Sequence, residues 1–258
     1  MKQIYTWRCL LFALIIGLHT FTTLAQDNPS PGDSLPARSL PVIEYSFQPK
    51  QLILPASLIT VGAIGTAING MNDFHLFNRK NRDRQIRIDD YLEWGMLGWV
   101  FVCDLIGEEK HHFADQFFIL LLAEGMNAGM VRGLKKWINE PRPDGGPHSF
   151  PSGHTSNVFL GAHLAYKEFK DTNAWLAYSG YAVGAFVGFT RIYNNRHWVA
   201  DVIAGAGFGI LSVELAYLIY FPIRNAIVKK VNKNRDNKFM MVPSFSPHGG
   251  GLSLVYTF

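Results

Sequence analysis

The sequence predicts an all-α fold, a bundle of about six core helices with a small C-terminal β-hairpin, and three observations predict it. Apolar stretches of fifteen residues or more recur along the chain, longer than buried strands usually run. Short polar segments separate them. Strict alternation occurs only at the C-terminus, where Leu252, Leu254, Tyr256 and Phe258 interleave with smaller or more polar residues. The 258 residues are 48% hydrophobic and 17% charged, with a mean hydropathy of +0.06. That composition excludes a disordered chain, a collagen-like chain and a disulfide scaffold, and it falls between typical membrane and soluble proteins.

Residues 1–25 read as an export signal. Lys2 and Arg8 make a charged start, Cys9 to Leu18 is a short apolar run, and Thr23-Leu24-Ala25 before Gln26 offers a small-residue cleavage site. The other reading is an uncleaved N-terminal anchor. Cleavage would leave Cys103 as the single cysteine, so no internal disulfide could form. It would also remove two of the 24 basic residues and none of the 20 acidic ones. The remaining excess is too small for the concentrated basic face of a nucleic-acid binder, and no nucleic-acid partner is expected.

Residues 26–50, rich in Pro, Ser and Asp between Asp27 and Gln48, read as an extended linker. The helical domain is expected over 51–225, with candidates at Leu52 to Ile68, Tyr91 to Ile106, Phe113 to Ile138, Thr155 to Phe169, Ala174 to Thr190 and His197 to Phe221. Gly180, Gly184 and Gly188 fall four apart, as do Gly125 and Gly129, so each set puts small residues on one helical face where a neighbour can approach. Residues 226–258 hold a basic connector, Lys229 to Lys238, and the hairpin, with arms Met240 to Phe245 and Leu252 to Phe258 flanking a Gly-rich turn at Pro247-His248-Gly249-Gly250-Gly251. His111-His112 reads as part of a charged turn and His163 as a packing residue.

Three clusters between Lys135 and Asp201 carry the chemistry: Lys135 with Arg142-Pro143, then Pro151-Ser152-Gly153-His154, then Thr190-Arg191 with His197 and Asp201. Singly, each has an ordinary structural explanation: a solvated pair near a helix end, a turn with a helix cap, a surface pair four residues apart. Together they can hold a phosphate. An arginine fork binds two phosphate oxygens, a lysine adds a compact charge, and Ser152 with the amides of Gly153 and His154 would sit at a helix N-terminus that favours an anion. Asp201, one turn beyond His197, can fix one ring nitrogen and leave the other to attack, while His154 can protonate a leaving alkoxide. A metal site made of His154, His197 and Asp201 is the competing reading of those residue types, but three cations nearby suit an anion better.

The ordered set Lys-x6-Arg-Pro, Pro-Ser-Gly-His and Arg-x5-His-x3-Asp resembles the signature of the type 2 phosphatidic acid phosphatase (PAP2) superfamily, which includes lipid phosphate phosphatases, class A acid phosphatases and vanadium haloperoxidases. The resemblance implies a PAP2-type helical bundle and no metal or other cofactor. It implies that Lys135, Arg142 and Arg191 bind phosphate with Ser152 and Gly153 assisting, that His197 forms a phosphohistidine oriented by Asp201, and that His154 is the general acid. One departure is Thr190, where the family's motif opens with Ser. The implied enzyme is a metal-independent phosphoric ester hydrolase acting on a phosphate monoester or pyrophosphate. Candidate substrates are lipids: lipid A, undecaprenyl diphosphate, phosphatidic acid or phosphatidylglycerol phosphate. A soluble periplasmic acid phosphatase, a vanadate-dependent haloperoxidase and a non-catalytic protein binding anionic lipids are the alternatives.

The expected location is the cell envelope, with the site facing the periplasm, integral or peripheral at a membrane. That expectation contains a conflict. A signal leaves the linker outside, and Arg79, Lys80, Arg82, Arg84 and Arg87 after the first core helix favour the cytoplasm. Both put the motifs on the inner side if every helix spans. Either one candidate is not a full span or the bundle is exported and peripheral. Glu93, Asp104, Glu124, Arg132 and Glu214 within the helices raise the second possibility, since intramembrane charges are costly.

Overall fold

The computed structural model describes residues 41–68, 85–108, 110–235, 239–246 and 249–256. The expected signal, most of the linker and the run from Arg79 to Arg84 lie outside the described residues. A 3₁₀ turn at Pro49–Leu52 leads into α1 (Ile53–Ala67). There follow α2 (Ile88–Leu97), α3 (Trp99–Cys103), α4 (Phe113–Ile138), α5 (Gly153–Phe169), α6 (Ala174–Tyr193) and α7 (Val199–Arg235). Strands β1 (Phe239–Ser246) and β2 (Gly249–Tyr256) pair antiparallel, with Phe239 opposite Tyr256.

Two helices differ from expectation. The second candidate is broken at Gly98, and its first half begins earlier, with Asp89 and Asp90 in the first turn, where acids complement the helix dipole. The last candidate runs past Phe221 to Arg235, through Pro222. Proline removes one helical hydrogen bond. Contacts beyond it hold the continuation: Arg224 Nε donates to Asp115 Oδ1 at 2.6 Å, and Asn225 Nδ2 donates to Ile43 O at 2.7 Å while accepting from Ile43 N.

Glycine contacts fix the helix directions. Gly205 lies against Ser152 and Gly209 against Ser156, so α5 and α7 start at the same end. Gly180 abuts Ala162 and Gly184 abuts Phe159, so α6 runs antiparallel to α5 and returns Arg191 to that end. Gly62 meets Ala200 and Ala204, and Ile59 meets Gly207, so α1 also finishes there. A Cβ at Gly209 would stand 2.2 Å from Ser156 O and one at Gly161 2.0 Å from Met96 O, approaches open only to glycine. The expected close face at Gly125 and Gly129 is not found: a Cβ at either would meet nothing within 4 Å. Those glycines point away from the helices that α4 packs on.

Toward the other end of α5 the core is crossed by buried ionisable groups. Glu214 accepts from Lys167 Nζ at 3.0 Å and pairs with His163 Nε2 at 2.8 Å, and His163 Nδ1 meets the Tyr181 hydroxyl at 2.5 Å. Glu168 accepts from Tyr217 and from the backbone of His111, whose Nδ1 lies 2.9 Å away. His163 is thus a satisfied packing residue. His111 lies in the connection before α4, as expected of a turn residue, but Glu168 draws its side chain into the core. Phe169, Leu164, Ile119, Val213 and Phe221 pack around this network with no exposure.

Among the described residues, three helices are long and apolar enough to cross a membrane: Pro49–Ala67, Phe113–Ile138 and Val199–Lys233. The outer faces of the first two expose Ile53, Leu54, Ile64, Phe118 and Leu121. At about 1.5 Å per residue, the ten residues of α2 and five of α3 fall short of a hydrocarbon core of about 30 Å.

Candidate active site

All three motifs meet at the end where α5 and α7 begin and α4 and α6 finish. The first leaves α4 through Asn139, whose left-handed backbone (φ 49°) ends the helix and closes on Lys135 O. The chain then forms a loop shut by Ser149 N donating to Glu140 O at 2.8 Å. Inside it Arg142 N donates to Gly146 O and Gly145 N returns to Arg142 O, a turn that needs the positive φ of Gly145 (87°). Lys135 Nζ donates to the carbonyls of His148 and Ser149, both at 2.9 Å, and Arg142 Nε to Pro147 O at 3.1 Å. Backbone carbonyls thereby aim both cations without neutralising them.

The second motif caps α5. Ser152 is fully buried, and its hydroxyl meets Thr155 Oγ1 at 2.9 Å and accepts from Thr155 N. Its amide donates to Asp201 O at 3.0 Å. The Ser152 side chain thus serves its own helix, and the anion-binding element it offers is the N-terminus that it caps. Gly153 lies beside Lys135, whose Cε is 3.9 Å from where a Cβ would stand. His154 is the outlying member: Nε2 contacts Asp90 Oδ1 and Glu93 Oε2 of α2, each at 2.9 Å.

The third motif spans the α6–α7 turn, where the amides of Arg196 and His197 both donate to Arg191 O. Thr190 is buried with its hydroxyl on Val187 O at 2.7 Å, so this position asks only for a hydroxyl. His197 precedes α7 instead of lying on it. Asp201, at the third position of that helix, reaches back to accept from Trp198 N at 2.9 Å, as a capping-box acid does. The same oxygen, Oδ2, lies 3.2 Å from His197 Nδ1 and accepts from Ser149 Oγ at 2.5 Å. Asp201 Oδ1 has no hydrogen-bond partner among the described residues.

The electrostatics are those of an anion site. His197 is almost fully buried, and burial first, then Lys135 and Arg191, pushes its imidazole down to about 3 against the opposing pull of Asp201. Burial, with Arg191 and Arg196 nearby, also holds the Arg142 guanidinium below its ordinary value despite Asp144. Arg191 is buried and ion-paired at 2.7 Å with buried Asp89, yet its Nε finds no acceptor among the described residues. A buried donor without a partner costs about 1–3 kcal/mol, which a bound anion would recover. Among the described residues no three His, Cys, Asp or Glu side chains converge on a metal position.

Sequence reasoning brought forward Lys135, Arg142, Arg191, His197 and Asp201, which lie together here, and Ser152, Gly153 and His154 at the edge of the same cluster. It missed Ser149, Asp89, Asp90 and Glu93. The one available signal was the acidic pair Asp89-Asp90 at a helix start.

The PAP2 superfamily model matches residues 145–224, a stretch that covers the second and third motifs. Over 99 residues the chain is 43% identical to the lipid A 1-phosphatase of Porphyromonas gingivalis, a match that covers 38% of this chain and 22% of that protein. Over 108 residues it is 32% identical to the phosphatidylglycerophosphatase B of Bacillus subtilis, covering 36% of this chain and 52% of that one. The chain therefore spans about half or less of the length of these relatives. Among solved structures, Aquifex aeolicus LpxE superposes with a TM-score of 0.42 and 19% identity, over 55% of this chain and 97% of that one.

Proposed function

We propose that the protein is a metal-independent phosphatase that removes a phosphate from a lipid through a phosphohistidine. The observation that carries the proposal is the convergence of Lys135, Arg142 and Arg191 on the His197–Asp201 pair, with a buried Arg191 donor unspent. Nδ1 of His197 is held by Asp201, which leaves Nε2 to attack phosphorus. The phosphorus–oxygen bond to the lipid breaks, and the leaving alkoxide takes a proton from His154. Water then attacks the phosphohistidine, returns a proton to His154 and releases inorganic phosphate. Charge spreads over the equatorial oxygens in both steps, so the three cations and the α5 N-terminus contribute most of the rate.

A lipid substrate is supported by the lipid phosphatases among the relatives and by the exposed apolar faces of α1 and α4. Lipid A, undecaprenyl diphosphate and phosphatidic acid or phosphatidylglycerol phosphate are the substrates to compare. Full-length protein in detergent should release phosphate from one of these faster than from a soluble monoester, resist chelator, and be inhibited by vanadate as a phosphate mimic. Activity retained by His197→Ala, or lost to chelator and untouched by vanadate, would contradict the reading.

The site is proposed to face the periplasm from a bundle exported by residues 1–25. Because α1 carries the chain from the linker's end to the site's end, this orientation calls for a bundle lying at the membrane instead of α1 crossing it completely. A cysteine placed at Gly145 in a cysteine-free background should react with a membrane-impermeant thiol reagent in intact cells. Reaction only after permeabilisation would refute the orientation.

A further inference from the structure

The acidic edge of α2 is outside the three motifs, yet it touches two of their members. Asp89 pairs with Arg191, and His154 Nε2 stands 2.9 Å from both Asp90 Oδ1 and Glu93 Oε2. The two carboxylates facing His154 are not equivalent. The Asp90 side chain is 63% exposed, and a pair open to water contributes little to holding geometry. Glu93 is only 12% exposed and is itself held: Asn157 Nδ2 donates to Glu93 Oε1 at 2.8 Å, and Asn127 Nδ2 donates to Asn157 Oδ1 at 2.7 Å. Asn127 is 1% exposed, and its Nδ2 also reaches Ser156 Oγ at 3.0 Å. The chain His154–Glu93–Asn157–Asn127 thus links α2, α5 and α4 by side-chain hydrogen bonds.

We propose that Glu93 is a positioning residue for the general acid. It fixes His154 Nε2 as the donor to a carboxylate, which leaves Nδ1 to exchange the proton with the leaving group, while Asn157 and Asn127 hold Glu93 in place. A terminal carboxylate or amide on a long side chain is a poor positioning group when free to rotate; one anchored on its far oxygen keeps its direction. This role gives a reason for a half-buried acid, an asparagine pair and a histidine to interrupt otherwise apolar helices. It rests on the phosphatase reading.

Leaving-group dependence tests it. An alkyl phosphate needs a proton on the departing alkoxide, whereas 4-nitrophenyl phosphate expels a stable anion without one. With full-length protein in detergent, His154→Ala should lose about a hundredfold or more in kcat/KM, which reads the transfer to His197 and not the later hydrolysis, on the alkyl ester and far less on the aryl ester. Glu93→Ala and Asn157→Ala should show the same selective pattern on a smaller scale, about tenfold on the alkyl ester and within about threefold on the aryl one. Glu93→Gln keeps the volume and one acceptor oxygen, enough for His154 or for Asn157 but not for both, so it should recover part of the alkyl activity, and it guards against a misfolded alanine variant. Equal losses on both esters, or no loss, from both Glu93 variants would overturn the inference while leaving the phosphatase reading intact. A His154→Ala variant without leaving-group selectivity would instead overturn the role given to His154 itself.

Discussion

The bundle holds two polar clusters, and they differ in how completely their charges are answered. Toward the C-terminal end of α5, Glu214 meets Lys167 and His163, and Glu168 meets His111 and Tyr217, so donor and acceptor close on each other. At the N-terminal end of the same helix three cations surround one histidine–aspartate pair. There Asp89 answers one guanidinium, carbonyls aim Lys135 and Arg142, and Arg191 Nε is left over. Both clusters are buried and both interrupt apolar helices, so burial alone does not mark the working one. The excess of one sign and the unspent donor are what single out the proposed site.

That contrast can be broken by mutation. His197→Ala should lower kcat/KM at least about a thousandfold with a smaller loss of stability than Glu214→Ala, because the proposed nucleophile is lost while Asp201 keeps Ser149 Oγ and Trp198 N as donors. Glu214→Ala should do the reverse. Leaving Lys167 and His163 unpaired should cost on the order of 3–5 kcal/mol in stability, read by thermal unfolding in detergent, with the activity of the folded fraction within about twofold of the parent. If Glu214→Ala instead abolishes catalysis at full stability, the two clusters are not functionally distinct.

Arg191→Lys should lose about a hundredfold in kcat, since lysine keeps the charge and loses the fork that reaches Asp89 and a phosphate together. The pH profile sharpens the point. A histidine held down to about 3 stays neutral, and nucleophilic, as pH falls through the ordinary histidine range near 6.5, gaining its proton only around 3. In a His154→Ala background on 4-nitrophenyl phosphate, corrected for substrate ionisation, kcat/KM should therefore show no His197 inflection near 6.5. An inflection there would mean that the imidazole is better solvated than its burial implies.

The smallest effects separate the two glycine faces. Gly125→Ala, into open space on a helix, should stabilise by about 0.5–1 kcal/mol, whereas Gly161→Ala must push Met96 O away and should destabilise clearly. Unfolding midpoints of the two variants check this directly.

Much of the site was legible because its chemistry is carried by residues at short, fixed spacings around helix ends: His197 four before Asp201, Ser152 capping the helix of His154. What was hidden came from far along the chain. Ser149 and Asp201 are 52 residues apart, Asp90 and His154 64, and Asp89 and Arg191 102, so no local pattern joins them. In the fold, hydrophobic runs placed the helices, but not the break at Gly98 or the passage through Pro222, which tertiary contacts decide. The glycine spacing of α6 and α4 looked alike in sequence, and only α6 has a partner against it. His111 shows the same limit: a polar pair beside a loop reads as surface until Glu168 is seen beneath it.

The central claim is that His197 carries the phosphoryl group. Full-length protein mixed with a labelled lipid phosphate and quenched in base within the first turnover should retain label on the chain that is lost in acid, the behaviour of a phosphohistidine. His197→Ala should retain none, while His154→Ala, which lacks the proton donor for the departing alkoxide, should gain its label more slowly than the parent. Label that persists on His197→Ala, or that survives acid, would contradict the account.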